Sequence, residues 1–190
     1  MRYLGITILC FLFSIITLSA QKDDSKYRTI KVNGKVHTFK RGLEKDYPYD
    51  VELVTPQGDT INSSKVLKTN EKPTVLLFWL TTCVPCQFEL DNIHKKYAEW
   101  QEEADFNLYA ISEELPRYAS RFAPYVHRKK WEFEAYYDFN RVFRRIMPEG
   151  LDGLPQTFIL DKNGRIVYHK KKYRMGDENL LFEEIKTLSK

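Results

Sequence analysis

Cysteine is scarce in this chain. Its 190 residues include three cysteines, Cys10, Cys83 and Cys86. One close pair constrains very little of an unfolded chain, so the sequence is not a disulfide scaffold. A second cysteine pair is missing, and with it the ligand set of a structural zinc clip. Charge of one sign is missing too. The 30 Lys and Arg stand against 26 Asp and Glu, a net charge of +4. That is a mixed surface rather than a nucleic-acid footprint. There is no internal repeat and no low-complexity linker. No apolar run reaches the ~20 residues that a membrane-spanning helix needs.

What is present reads as one globular domain with a real core. Hydrophobic residues make up 43% of the chain and aromatic residues 14%. The N-terminus differs. Arg2 precedes an uncharged apolar run, Leu4 to Leu18, and Ser19-Ala20 leads into the polar QKDDSK. This is the layout of a secretory signal peptide over residues 1–20, with cleavage expected after Ala20. A retained anchor is the alternative, and the run is short for one. Removal of the leader removes Cys10 and leaves Cys83 and Cys86 as the only thiols. Export to the periplasm or cell envelope places them where disulfides persist.

Residues 21–48 form a polar extension, in which Asn33-Gly34 marks a hairpin between TIKV and KVHTF. The main domain is expected over 49–190. Tyr49 to Ile61 reads strand–turn–strand around Pro56-Gln57-Gly58-Asp59. TVLLFWL, after Pro73, is apolar on consecutive residues and predicts a central strand covered on both faces. Phe106 to Ser112 predicts a second one. A helical segment at 116–123 is expected to bend or stop at Pro124. WEFEAYYDF predicts a strand, and Asn140 a cap for the short helix RVFRRIM. A strand from Leu154 to Leu160, the turn DKNG and the strand RIVYHKKKY follow. Asp177 is the expected cap of the last helix, with Leu181, Ile185 and Leu188 inward. Strands alternating with helices predict an α/β fold, a central mixed β-sheet flanked by helices with a β-hairpin extension.

The cysteines stand where the first central strand ends and a helix begins. Cys86, Leu90, Ile93, Tyr97, Trp100 and Ala104 recur at spacings of three and four, one buried stripe of a helix. Cys83 then lies at the first turn, and Pro85 suits an early helical position. Unpaired N–H groups and partial positive charge there lower a thiol pKa. Cys83 is thus the expected nucleophile, and Cys86, one turn away, the resolving thiol. Glu89 is a helical neighbour of Cys86. Its carboxyl either accepts or relays the Cys86 proton, or is a solvated acid suited to a helix start. The spacing leaves both open.

This segment resembles the active site of the thioredoxin superfamily. It is most similar to exported TlpA/ResA-like thiol–disulfide oxidoreductases. The resemblance rests on Phe78-Trp79, Cys83-Val84-Pro85-Cys86, Glu89 and the distant Gly153-Leu154-Pro155 before TFILDKNGRIVY. It covers about Tyr49 to Lys190. It implies a thioredoxin-like fold, a cis Pro155 beside the cysteines, and a substrate-holding role for Leu154, Pro155 and Trp79. It also implies a disulfide-containing protein substrate, a membrane-bound electron donor, and neither cofactor nor metal. Apocytochrome c or another envelope protein would be the natural substrate. Departures are Thr82 and Leu77, where Trp and Asp are frequent, and Leu90, where Pro is. Val84-Pro85 lacks the histidine of strongly oxidising relatives, which favours a reductant.

Two rivals share the fold. A soft-metal (copper) chaperone would need a histidine beside the pair, and His94 lies over two helical turns from Cys86. A thiol peroxidase would need a Thr-x-x-Cys arrangement, which Pro85 to Glu89 does not offer. The basic runs His127–Lys130 and His169–Lys172 read as solvated surface and a charged edge strand, with docking of an acidic partner or anionic lipid as the alternative.

Overall fold

The computed structural model describes residues 27–32, 35–40, 50–67, 71–148 and 150–190. The expected leader over 1–20 lies outside them. Strands β1 (Tyr27–Val32) and β2 (Lys35–Lys40) pair antiparallel, as the expected hairpin requires.

A seven-stranded mixed sheet forms the centre. Its strands are β3 (Glu52–Val54), β4 (Thr60–Asn62), β5 (Thr74–Trp79), β6 (Asn107–Ser112), β7 (Glu134–Tyr137), β8 (Gln156–Leu160) and β9 (Ile166–Lys171). Their spatial order is β4-β3-β7-β6-β5-β8-β9. β5 runs parallel to β6 and antiparallel to β8. Every residue of β5 is buried, which its unbroken apolar run demands.

Successive side chains of a strand point to opposite faces, and β5 divides the core accordingly. Val75, Leu77 and Trp79 pack with α2 (Val84–Glu103), α3 (Phe122–Lys129) and α5 (Asp177–Leu188). Leu76 and Phe78 pack on the other face with Leu67, Phe143 and Met147, from α1 (Ser63–Val66) and α4 (Phe143–Ile146) and the residues that end them. The predicted stripe of α2 is the buried one: Cys86, Leu90, Ile93 and Trp100 are fully covered. Among the described residues no helix is long and apolar enough to cross a membrane.

Four local expectations differ from the structure. Pro124 does not stop a helix. A 3-10 turn over Pro116–Arg121 runs into α3, and Pro124 occupies the first turn of α3, where a missing N–H costs nothing. Asn140 caps nothing. Asp138 Oδ2 accepts the Phe143 N–H at 2.7 Å at the start of α4 instead. Asp177 is the first residue of α5 rather than its cap, which is Gly176 at φ 95°. Lys170 on β9 is not solvated but forms an ion pair with Asp177, while the His169 ring stacks on Phe158 at 4.0 Å.

Candidate active site

Cys83 is the N-cap of α2, and its Sγ accepts the Cys86 N–H at 3.3 Å. The two cysteines form a disulfide across a Cα–Cα distance of 5.2 Å. Cys86 is wholly buried on the α2 stripe, and Cys83 is half-buried. Thr82, Val84, Pro85 and Phe88 around them are exposed, Phe88 by 53%. Cys83 therefore retains contact with solvent and Cys86 does not.

The loop that delivers Cys83 is held at Thr81. Glu114 Oε1 accepts both the Thr81 N–H (2.6 Å) and its hydroxyl (2.5 Å). Gln87 Nε2, from the first turn of α2, donates to the Thr81 carbonyl at 2.7 Å. Thr81 and Glu114 are both buried. Trp79 and Ser112 are register partners on parallel β5 and β6, so the residues just beyond each strand stand abreast. The Glu113 N–H donating to Trp79 O at 2.9 Å continues that ladder.

Glu89 is 4% exposed and its Oε1 accepts the Thr157 hydroxyl at 3.0 Å. The solvated alternative is thereby closed. Burial pushes its carboxyl up to about 7, against the pull of the Thr157 hydrogen bond and the Lys170 charge. Thr157 lies two residues beyond Pro155, so this bond ties the α2 turn bearing Cys86 to the strand that leaves the proline loop. The Leu154–Pro155 peptide bond is cis, and Pro155 O accepts the Lys172 N–H at 2.8 Å. Leu154, like Cys83, is a partly buried residue packed against the α2-side core.

Trp79 is where a correction is needed. It is fully buried, with its ring centroid 5.2 Å from those of Tyr125 and Trp131. A side chain with no exposed surface cannot contact a substrate. Trp79 supports the loop from within the core. Among the described residues, no three His, Cys, Asp or Glu side chains are grouped to hold a metal.

Sequence reasoning missed Glu113, Glu114 and Asp138, all buried. Burial, then the Asp138 charge, pushes Glu113 up to about 9, and burial also raises Asp138. With both ionised, neither carboxylate could donate to the other. A proton kept on Glu113 would let it donate to Asp138, whose Oδ1 has no other partner among the described residues. The signal for Glu114 was in the chain: two acids directly after a predicted central strand that neighbours the cysteine-bearing one.

A half-exposed and a buried cysteine joined at a helix start, on a sheet of this order, define a thioredoxin-like dithiol–disulfide fold. The chain belongs to the AhpC/TSA family, whose model matches residues 45–169. A solved thioredoxin-like protein from Porphyromonas gingivalis is 34% identical, covering 75% of this chain and 90% of its own, with a TM-score of 0.63. A structure described as a thiol:disulfide interchange protein DsbE, from Chlorobium tepidum, is 19% identical over 79% of this chain and 97% of its own, with a TM-score of 0.62. Peroxiredoxin Q of Xanthomonas campestris is 13% identical over 78% of this chain and 99% of its own, at 0.61. These last two likenesses speak to fold alone. A search of the curated proteins found no match.

Proposed function

We propose that this chain is an exported, TlpA/ResA-like thiol–disulfide oxidoreductase that reduces disulfides of envelope proteins. The observation that carries the reading is the unequal exposure of Cys83 and Cys86 at the α2 N-terminus. In the dithiol form, the Cys83 thiolate attacks one sulfur of a substrate disulfide and expels the other as a thiol. The Cys86 thiolate then attacks Cys83 Sγ and releases the second substrate thiol. Two electrons and two protons pass to the substrate, and the protein is left as the disulfide described above. A thiol donor at the membrane must return it to the dithiol. Leu154 and Pro155 hold the substrate backbone, and Glu89 takes or relays the Cys86 proton. The apolar leader directs the chain to the periplasm or envelope.

The family match also suggests a thiol peroxidase. Leu80, not threonine, stands three residues before Cys83, which weighs against it. The deciding measurement is the reduction potential of the Cys83/Cys86 couple in graded thiol–disulfide buffers at pH 7. The expected value is at or below roughly −200 mV, with the reducing exchangers. A value near about −120 mV, that of a strong oxidant, reverses the direction. Peroxide consumption faster than disulfide exchange replaces the reading altogether.

A further inference from the structure

We infer that the site carries an anion-binding subsite beside Cys83, and that it selects disulfides flanked by acidic residues. The inference deepens the reductase reading and rests on it. An open groove of about 500 Å³ is lined by Thr81, Thr82, Gln87, Arg121, Tyr125 and Arg128. Thr82 is bonded directly to Cys83, so the groove lies one residue from the half-buried cysteine. The opposite wall comes from the segment Leu115 to Lys130, which contains Arg117, Arg121, His127, Arg128, Lys129 and Lys130 and no acid.

The two groove arginines are held ready. The Arg121 guanidinium lies 4.2 Å from the Tyr118 ring centroid, and that of Arg128 lies 5.0 Å from Tyr125. Stacking on an aromatic face restrains the side chain while leaving the in-plane N–H fork free for a carboxylate. Neither has a carboxylate partner among the described residues, whereas Lys129 is taken by Asp91 at 2.6 Å. No carboxylate among the described residues lines the groove, and Glu114, which lies behind Thr81, is buried and spends its Oε1 on Thr81. The occupant that fits is an acidic stretch of polypeptide within a few residues of the substrate disulfide, since ~3.3 Å per extended residue spans such a groove quickly.

The test uses two peptides with the same internal disulfide, one flanked by Asp and Glu, the other by Asn and Gln. The pre-reduced protein is mixed with each in single turnover, at low salt and at high salt. The acidic peptide is expected to react about tenfold faster at low salt, an advantage that screening removes. The ratio should fall to about one in Arg121→Gln/Arg128→Gln, and at least half of it should survive in Arg121→Lys/Arg128→Lys. Equal rates for the two peptides in the parent protein, or a ratio unchanged by the Gln pair, overturn the subsite. Fluorescence anisotropy of the labelled peptides with the oxidised protein reads the same preference without turnover. If neither peptide is reduced yet the acidic one binds, the reductase reading fails and the subsite stands. Arginine-dependent sedimentation with phosphatidylglycerol vesicles, without discrimination between peptides, assigns the groove to a membrane and overturns the proposal.

Discussion

Glu89 is a buried structural carboxyl whose titration range suits it to proton transfer. Its burial disfavours the charged form, and a single hydroxyl partner offsets only part of that. A group that titrates near 7 is matched to proton transfer at neutral pH. In Glu89→Gln, alkylation of the reduced protein should lose its inflection near pH 7 and the resolving step should slow about tenfold or more. An unchanged pH profile would leave Glu89 a packing residue. The residues of this turn were legible because they are local. Cys83, Cys86 and Glu89 share one helix start, so spacing alone brings them together. Thr157 was not, because its approach to Glu89 depends on β8 lying next to β5. Trp79 was legible as an interior residue, because its apolar run predicts a strand covered on both faces; the substrate role came from the resemblance, and burial excludes it.

At the scale of elements, parallel neighbours do what no single strand does. The ends of β5 and β6 lie abreast, and Glu114 from one grips Thr81 from the other. Glu114→Ala leaves a buried N–H and hydroxyl without an acceptor, at about 1–3 kcal/mol each. Denaturant unfolding should show that loss, and disulfide reduction by the folded fraction should drop at least tenfold. Glu114→Gln retains an acceptor oxygen and should keep most of both. A Glu114→Ala protein with full activity would show that Cys83 does not need the clamp. Long periodic elements, β5 and α2, could be read from their patterns. Caps could not. Asp138 outcompetes Asn140 because it is held by the end of β7 beside α4, a tertiary fact. Pro124 is tolerated because a 3-10 turn delivers the chain and places it in the first helical turn.

For the whole molecule, the buried acids set the pH range of stability. Glu113 is raised from 4.5 to about 9. A raised acid binds its proton more tightly folded than unfolded. Its contribution is therefore complete below about 4.5, declines as pH rises, and is gone above about 9. Glu89 acts with the same sign and is spent by about 7. The melting temperature should fall steadily from pH 5 to pH 9. Glu113→Gln, which keeps a donor for Asp138 without a titrating proton, should flatten that slope between pH 7 and pH 9. Identical slopes in the two proteins would place the loss elsewhere.

The double grip on Thr81 has a consequence for the redox couple. A thermodynamic cycle equates two differences: folded stability of disulfide against dithiol, and potential of the folded centre against a free peptide of the same sequence. Any contact present in both oxidation states cancels from the cycle. Glu114 and Gln87 touch Thr81, not sulfur, so a clamp that persists in the dithiol drops out of the cycle. Only groups that distinguish sulfur's charge remain: the Cys86 amide on Cys83, the α2 dipole and the Glu89 carboxyl. On this cycle, a substitution in the clamp is expected to change the rate of exchange with little change in potential, and one at those three groups to move the potential itself.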